Sequence, residues 1–156
     1  KYIPKINLKW SVYESEKMSL AYSQFEKEAG IKWCSSERKL SEDSDVALFS
    51  CVLQYLEFPF KIIKKFAIRN KYLIITRIPF VDDKEHVISR QTFPDQGDYQ
   101  TKNTSWPSWF FKRDSFMKEI NKIGNVIYQW KTPTEIMMFE GKNIMLEGML
   151  IKSNKK

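Results

Sequence analysis

Two nearly unbroken apolar runs, Asp45 to Cys51 (DVALFSC) and Tyr72 to Arg77 (YLIITR), constrain the fold more than anything else in the chain. Uniformly apolar strands belong to parallel sheets covered on both faces, and parallel neighbours need a crossover between them. The intervening residues supply one. Pro59 suits the first turn of a helix, and Phe60, Ile63, Phe66 and Ala67 recur at helical spacing. This strand, helix and strand predict an α/β layered fold, with the DVALFSC strand central in a mostly parallel sheet.

The flanking sequence extends the pattern. Leu8, Trp10 and Val12 alternate with Lys9, Ser11 and Tyr13 and lead to Glu14, which reads as a strand ending in an acid. Ser15 then caps a helix whose apolar stripe is Met18, Ala21, Tyr22, Phe25 and Ala29, with Gly30 just past its end. Ile31 to Ser35 forms a second short strand. After Arg77 the rhythm breaks into a long insertion, residues 79–111, rich in Pro, Asp and aromatic residues, with a strand around His86 to Thr92. Asp114 caps a further helix with Phe116, Ile120 and Ile123 inward. Two last strands, Asn125 to Lys131 and Asn143 to Lys152, are joined by a loop and pair antiparallel at a sheet edge.

Composition narrows the function. The net charge of +7 suggests nucleic acid until it is located: Lys1, Lys5, Lys9, Lys152, Lys155 and Lys156 sit at the two ends, and Trp10 to Ile151 carries only +1. Only five of the 26 basic residues are Arg, the type suited to bidentate base and phosphate contacts, so no nucleic-acid partner is expected. Cys34 and Cys51 lack metal or redox spacing and read as reduced thiols of a cytoplasmic protein. One histidine, His86, excludes a multi-histidine metal site. The longest mainly apolar stretch, Val46 to Leu56, is too short to span a bilayer, so no membrane partner is expected.

In order and motif the chain resembles the class I S-adenosylmethionine-dependent methyltransferases from their second strand onward. KWSVYE resembles the second strand of that fold, DVALFSCVLQYLEFPF the fourth strand and the turn after it, and the closing strands its terminal antiparallel pair. Together with ITRIPF, RQTFP and SWPSWFF, these segments resemble a bacterial methyltransferase family associated with surface-polysaccharide biosynthesis. The resemblance runs from about Trp10 to Leu150 and implies a Rossmann-like three-layer sandwich lacking its first βα unit. It also implies one domain over 1–156, incomplete at its N-terminus. No glycine-rich turn is present, because the only glycines are Gly30, Gly97, Gly124, Gly141 and Gly148. A second departure is Thr76, where the family would place an acid before Arg77.

The resemblance implies S-adenosylmethionine as cofactor and methyl transfer to a sugar oxygen or another small acceptor. Glu14 would bind the ribose hydroxyls, Ser35 and Ser36 the adenine, and Ser50, Cys51, Gln54 and Tyr55 the methionine side. His86 would deprotonate the acceptor, with Arg77, Gln91, Trp106 and Trp109 lining its pocket through an Arg charge and aromatic faces. Plainer roles compete at each position: Glu14 facing a helix N-terminus, serines in a turn, Tyr55 and the tryptophans as packing. The reading from another class is a non-catalytic binding module on a degenerate scaffold, which the missing glycine-rich turn supports.

Overall fold

The computed structural model describes residues 8–36, 44–92 and 105–154, which fall into two compact units, Lys1–Asp43 and Ser44–Lys156. In the first, strand β1 (Trp10–Tyr13) runs parallel to β2 (Ile31–Cys34), with Trp10 opposite Ile31 and Tyr13 opposite Cys34. The crossover is α1 (Glu16–Ser23) followed by the short α2 (Glu26–Ala29). Ser15 caps α1 as expected, its Oγ accepting from the Met18 amide at 3.4 Å, and Gly30 closes α2 in the left-handed conformation at φ 64°. The apolar stripe fares otherwise. Met18, Ala21, Tyr22 and Phe25 are exposed, and the helix breaks at Gln24 and Phe25.

The second unit contains strand β3 (Ser44–Ser50), a 3-10 turn (Leu53–Tyr55), α3 (Pro59–Arg69), β4 (Asn70–Val81), β5 (Val87–Thr92), β6 (Ser105–Lys112), α4 (Arg113–Asn121), β7 (Gly124–Phe139) and β8 (Lys142–Ser153). Its sheet has the order β5-β6-β4-β8-β7, and β3 pairs with the first half of β4. Strands β3 and β6 run parallel to β4, β8 antiparallel to it, and β7 and β8 form the antiparallel pair expected at the edge.

Side-chain alternation divides the sheet into two faces. Ala47, Phe49, Leu73, Ile75, Met149 and Ile151 point one way and meet Ile63 and Ala67 of α3 and Phe116 and Ile120 of α4 in the main core. Leu48, Ile74, Leu150 and Tyr128 form a continuous row across β3, β4, β8 and β7 on the other face. The helix stripes of α3 and α4 are therefore as the spacing predicts. Asn70 seals the junction of α3 and β4: its Nδ2 donates to the Phe66 carbonyl at 2.8 Å, and Ser44 donates to its Oδ1.

Three expectations need correction. Strand β3 is not central: among the described residues it pairs only with β4, and Val46 and Leu48 are each 45% exposed. The helix α4 starts at Arg113 on an N-cap of Lys112, because β6 runs straight into it, and Asp114 lies within the first turn. The expected loop between the last strands is mostly strand, and its turn is only Glu140 and Gly141, both at positive φ (49° and 73°), as a tight hairpin turn requires.

Candidate active site

The carboxyl ends of β3 and β4 lie side by side because the strands are parallel and in register, Ser50 opposite Thr76. The Thr76 hydroxyl donates to Ser50 Oγ at 3.2 Å, and the Cys51 amide donates to the Thr76 carbonyl at 3.3 Å. The residue just beyond each of these two positions is backbone-strained: Cys51 at φ 54° and Arg77 at φ 60°, neither of them glycine. A left-handed non-glycine residue costs on the order of 1–2 kcal/mol, and such outliers concentrate at functional sites.

Arg77 sits in a bulge between Ile75 and Ile78 that turns its side chain toward β7. There it makes a two-pronged pair with Glu135, Nε to Oε2 at 2.5 Å and Nη2 to Oε1 at 2.7 Å. Hydrogen bonding and charge raise the Arg77 pKa and lower that of Glu135. The arginine therefore has an acidic partner although Thr76 precedes it. Glu135 was not foreseen, since it reaches Arg77 only through the pairing of β7 with β8 and β8 with β4.

Gln54 is 1% exposed. Its Nε2 donates to Cys51 Sγ at 3.3 Å, while its Oε1 has no partner. A buried acceptor left unsatisfied costs about 1–3 kcal/mol, so this oxygen is suited to a donor brought by a ligand.

Tyr55, Gln91 and Trp106 come together where β5 and β6 meet the 3-10 turn, and Trp109 reaches the residue after that turn. Tyr55 donates to Gln91 Oε1 at 3.1 Å and meets Trp106 edge-on at 6.3 Å. Trp109 donates from Nε1 to the Leu56 carbonyl at 2.9 Å and stacks near Phe111.

His86 lies half-buried between Phe60 and Phe111, at ring distances of 5.3 and 5.6 Å. Its Nδ1 accepts from the Lys112 amide at 3.1 Å, which assigns the proton of the neutral ring to Nε2. Burial lowers its pKa, against smaller opposing effects of Glu119 and Glu85. While the Lys112 bond persists, the neutral ring presents a donor at Nε2. With Glu57, Phe58, Pro59, Phe60, Lys61 and Trp109, His86 lines a pocket of about 300 Å³. The sequence held a sign of it in EFPFK, two aromatics around the proline that begins α3.

In the first unit, Glu14 is exposed and accepts from the Ser15 amide at 3.1 Å, and Ser35 and Ser36 form the half-buried bend after β2.

No protein-family model matches the chain, and no curated protein matches it. Solved structures do. The N-terminal domain of EvdMO1, in the presence of SAH and D-fucose, matches 97% of this chain and 69% of its own at TM-score 0.62 and 9% identity. The same domain with SAH bound matches 92% of this chain at TM-score 0.56 and 10% identity; the chain spans 63% of its length. An S-adenosylmethionine-dependent methyltransferase from Clostridium acetobutylicum matches 91% of this chain and 73% of its own at TM-score 0.56 and 12% identity.

The chain has the fold of a class I S-adenosylmethionine-dependent methyltransferase.

Within this Rossmann-like methyltransferase fold, the residues present fit the cofactor in part. The exposed Glu14 carboxylate suits two ribose hydroxyls, and the partnerless Gln54 oxygen suits an ammonium or hydroxyl donor. A cradle of glycines is missing: among the described residues Gly124 and Gly148 lie within strands, Gly30 ends α2 and Gly141 makes the hairpin turn. No helix among the described residues is long and apolar enough to cross a membrane.

Proposed function

We propose that the chain is the larger part of an S-adenosylmethionine-dependent methyltransferase acting on an oxygen of a small acceptor. The observation that carries this reading is the strained, partly unsatisfied cluster of Ser50, Cys51, Gln54 and Arg77 at the adjacent ends of β3 and β4, in a chain of methyltransferase fold. When bound, S-adenosylmethionine supplies a methyl group on a positively charged sulfur. The chain's own task is alignment, which can contribute about 7–11 kcal/mol of barrier reduction without a base. Glu14 holds the ribose hydroxyls and Ser35 and Ser36 the adenine; Ser50, Cys51, Gln54 and Tyr55 hold the methionine side. Arg77 acts by fixing the end of β4 through Glu135. Gln91, Trp106 and Trp109 bound the acceptor. The family resemblance favours a sugar acceptor, and the EvdMO1 domain crystallised in the presence of D-fucose supports it.

The reading also includes a further strand and helix N-terminal to β1, carrying the glycine-rich turn. The free edge of β3 supports this. Calorimetry with S-adenosylmethionine tests it on the 156-residue chain and on a chain extended at its N-terminus. Binding is expected only for the extended chain, weakened roughly tenfold to a hundredfold by Glu14→Gln. An extended chain that does not bind would leave the scaffold as a non-catalytic binding module.

A further inference from the structure

The pocket at the first turn of α3 has a lining with a definite chemistry. Phe58, Pro59, Phe60 and Trp109 provide apolar and aromatic surface, and Glu57 and Lys61 are exposed. Two side-chain polar groups there are already engaged. The Trp109 Nε1–H is engaged by the Leu56 carbonyl and His86 Nδ1 by the Lys112 amide. The Nε2–H of His86 is the neutral side-chain donor left to a ligand.

We infer that this pocket binds a flat, uncharged aromatic ring bearing one oxygen, a phenol-like group, whose oxygen accepts from His86 Nε2–H. The volume of about 300 Å³ lies at the lower end of ligand pockets and suits a single ring. A ring with several hydroxyls fits less well, because each hydroxyl taken from water needs a partner and the neutral side chains of the lining leave one free donor. Aromatic faces at Phe58 and Trp109 favour stacking, and the burial that keeps His86 neutral at neutral pH keeps it a donor. Binding of the ring stands apart from the methyl-transfer reading. Naming the ring as the methyl acceptor rests on that reading and would replace the sugar with a phenolic oxygen.

The sole histidine gives an unambiguous reporter. In nitrogen-labelled protein, the imidazole is expected to show the neutral pattern with the proton on Nε2 at pH 7. Phenol is expected to shift that Nε2 signal saturably, with a dissociation constant on the order of 1 mM. Methyl glucopyranoside at the same concentrations should leave it in place. Phe58→Ala removes an exposed ring, so the fold is retained, and should weaken phenol binding roughly fivefold or more. A proton on Nδ1, no saturable shift with phenol, a stronger response to the glucoside, or unchanged phenol affinity in Phe58→Ala would each overturn the assignment. No cofactor enters this titration, so its failure is distinct from a failure to bind S-adenosylmethionine.

Discussion

On one face of the six-stranded sheet, Leu73, Ile75, Met149 and Ile151 are at most 1% exposed, while on the other Val46 and Leu48 are 45% exposed and Tyr128 64%. The residues are of similar apolarity and occupy the same strands or their direct neighbours. What separates them is cover: α3 and α4 pack on the first face, and neither packs on the second. Apolar patterning specifies that a strand can be buried on both sides, but a second layer has to be supplied by chain. The open row continues onto the free edge of β3, where one more parallel strand could add. The chain spans 63–73% of the solved structures compared above.

The difference between the faces predicts unequal mutational costs. Phe116 of α4 is fully buried against Phe60, Phe80 and Phe111, at ring distances of 5.1 to 5.4 Å. Phe116→Ala is expected to cost about 3–5 kcal/mol, a large share of a typical domain's stability. On the open face, Leu48→Ala should cost less than about 1 kcal/mol, because water already reaches the side chain. Urea denaturation of the two variants measures both. Comparable losses would show that the second face is covered in solution, by another copy or by a rearranged segment.

Much of the covered half was legible in the sequence, because α3, β3, β4 and the core positions of α4 announce themselves through local periodicity. The errors share a cause in non-local context. Residues 132–142 contain Thr-Pro-Thr-Glu, which reads as a breaker, yet Pro133 is tolerated where β7 forms a sheet edge. The Met18, Tyr22 and Phe25 stripe is helical in spacing, but spacing says nothing about whether a partner surface arrives. At the candidate site, the strand ends follow from the order of elements, whereas Tyr55, expected on the methionine side, meets Gln91 and Trp106. The partner of Arg77 lies 58 residues away, and the tautomer of His86 depends on an amide 26 residues away, so neither could be read locally.

A smaller effect marks the boundary of the open face. Gly148 of β8 lies opposite Trp130 of β7, and a Cβ at Gly148 would run into the indole ring. Gly148→Ala therefore has to displace Trp130, which is half-buried and has room to move, at an expected cost of roughly 1–3 kcal/mol. In a Trp130→Ala background the same substitution should cost close to nothing, since the obstructing ring is gone. A double-mutant cycle without such coupling would mean that Trp130 does not rest on Gly148.

The smallest effect concerns the helices that cover the first face. Glu119 of α4 pairs with Lys64 of α3 at 2.8 Å and with Lys122, the C-cap residue of its own helix. Hydrogen bonds from Lys122 and then Lys64 hold its pKa down at about 2, against an ordinary 4.5. A carboxylate with a depressed folded-state pKa adds stability that is complete above its unfolded value and is lost as the pH falls through its folded value. The expected window is therefore pH 4.5 down to about 2. Both lysines are about half exposed, so screening limits the contribution to below about 1 kcal/mol, and salt should reduce it further. Glu119→Gln is expected to remove this part of the acid dependence while barely changing stability at pH 7. If the variant instead lost several kcal/mol at neutral pH, the grip of α3 and α4 on the sheet would depend on the charge clamp rather than on Phe116, Ile120 and Ile63, and the contrast between the two faces would need an electrostatic explanation.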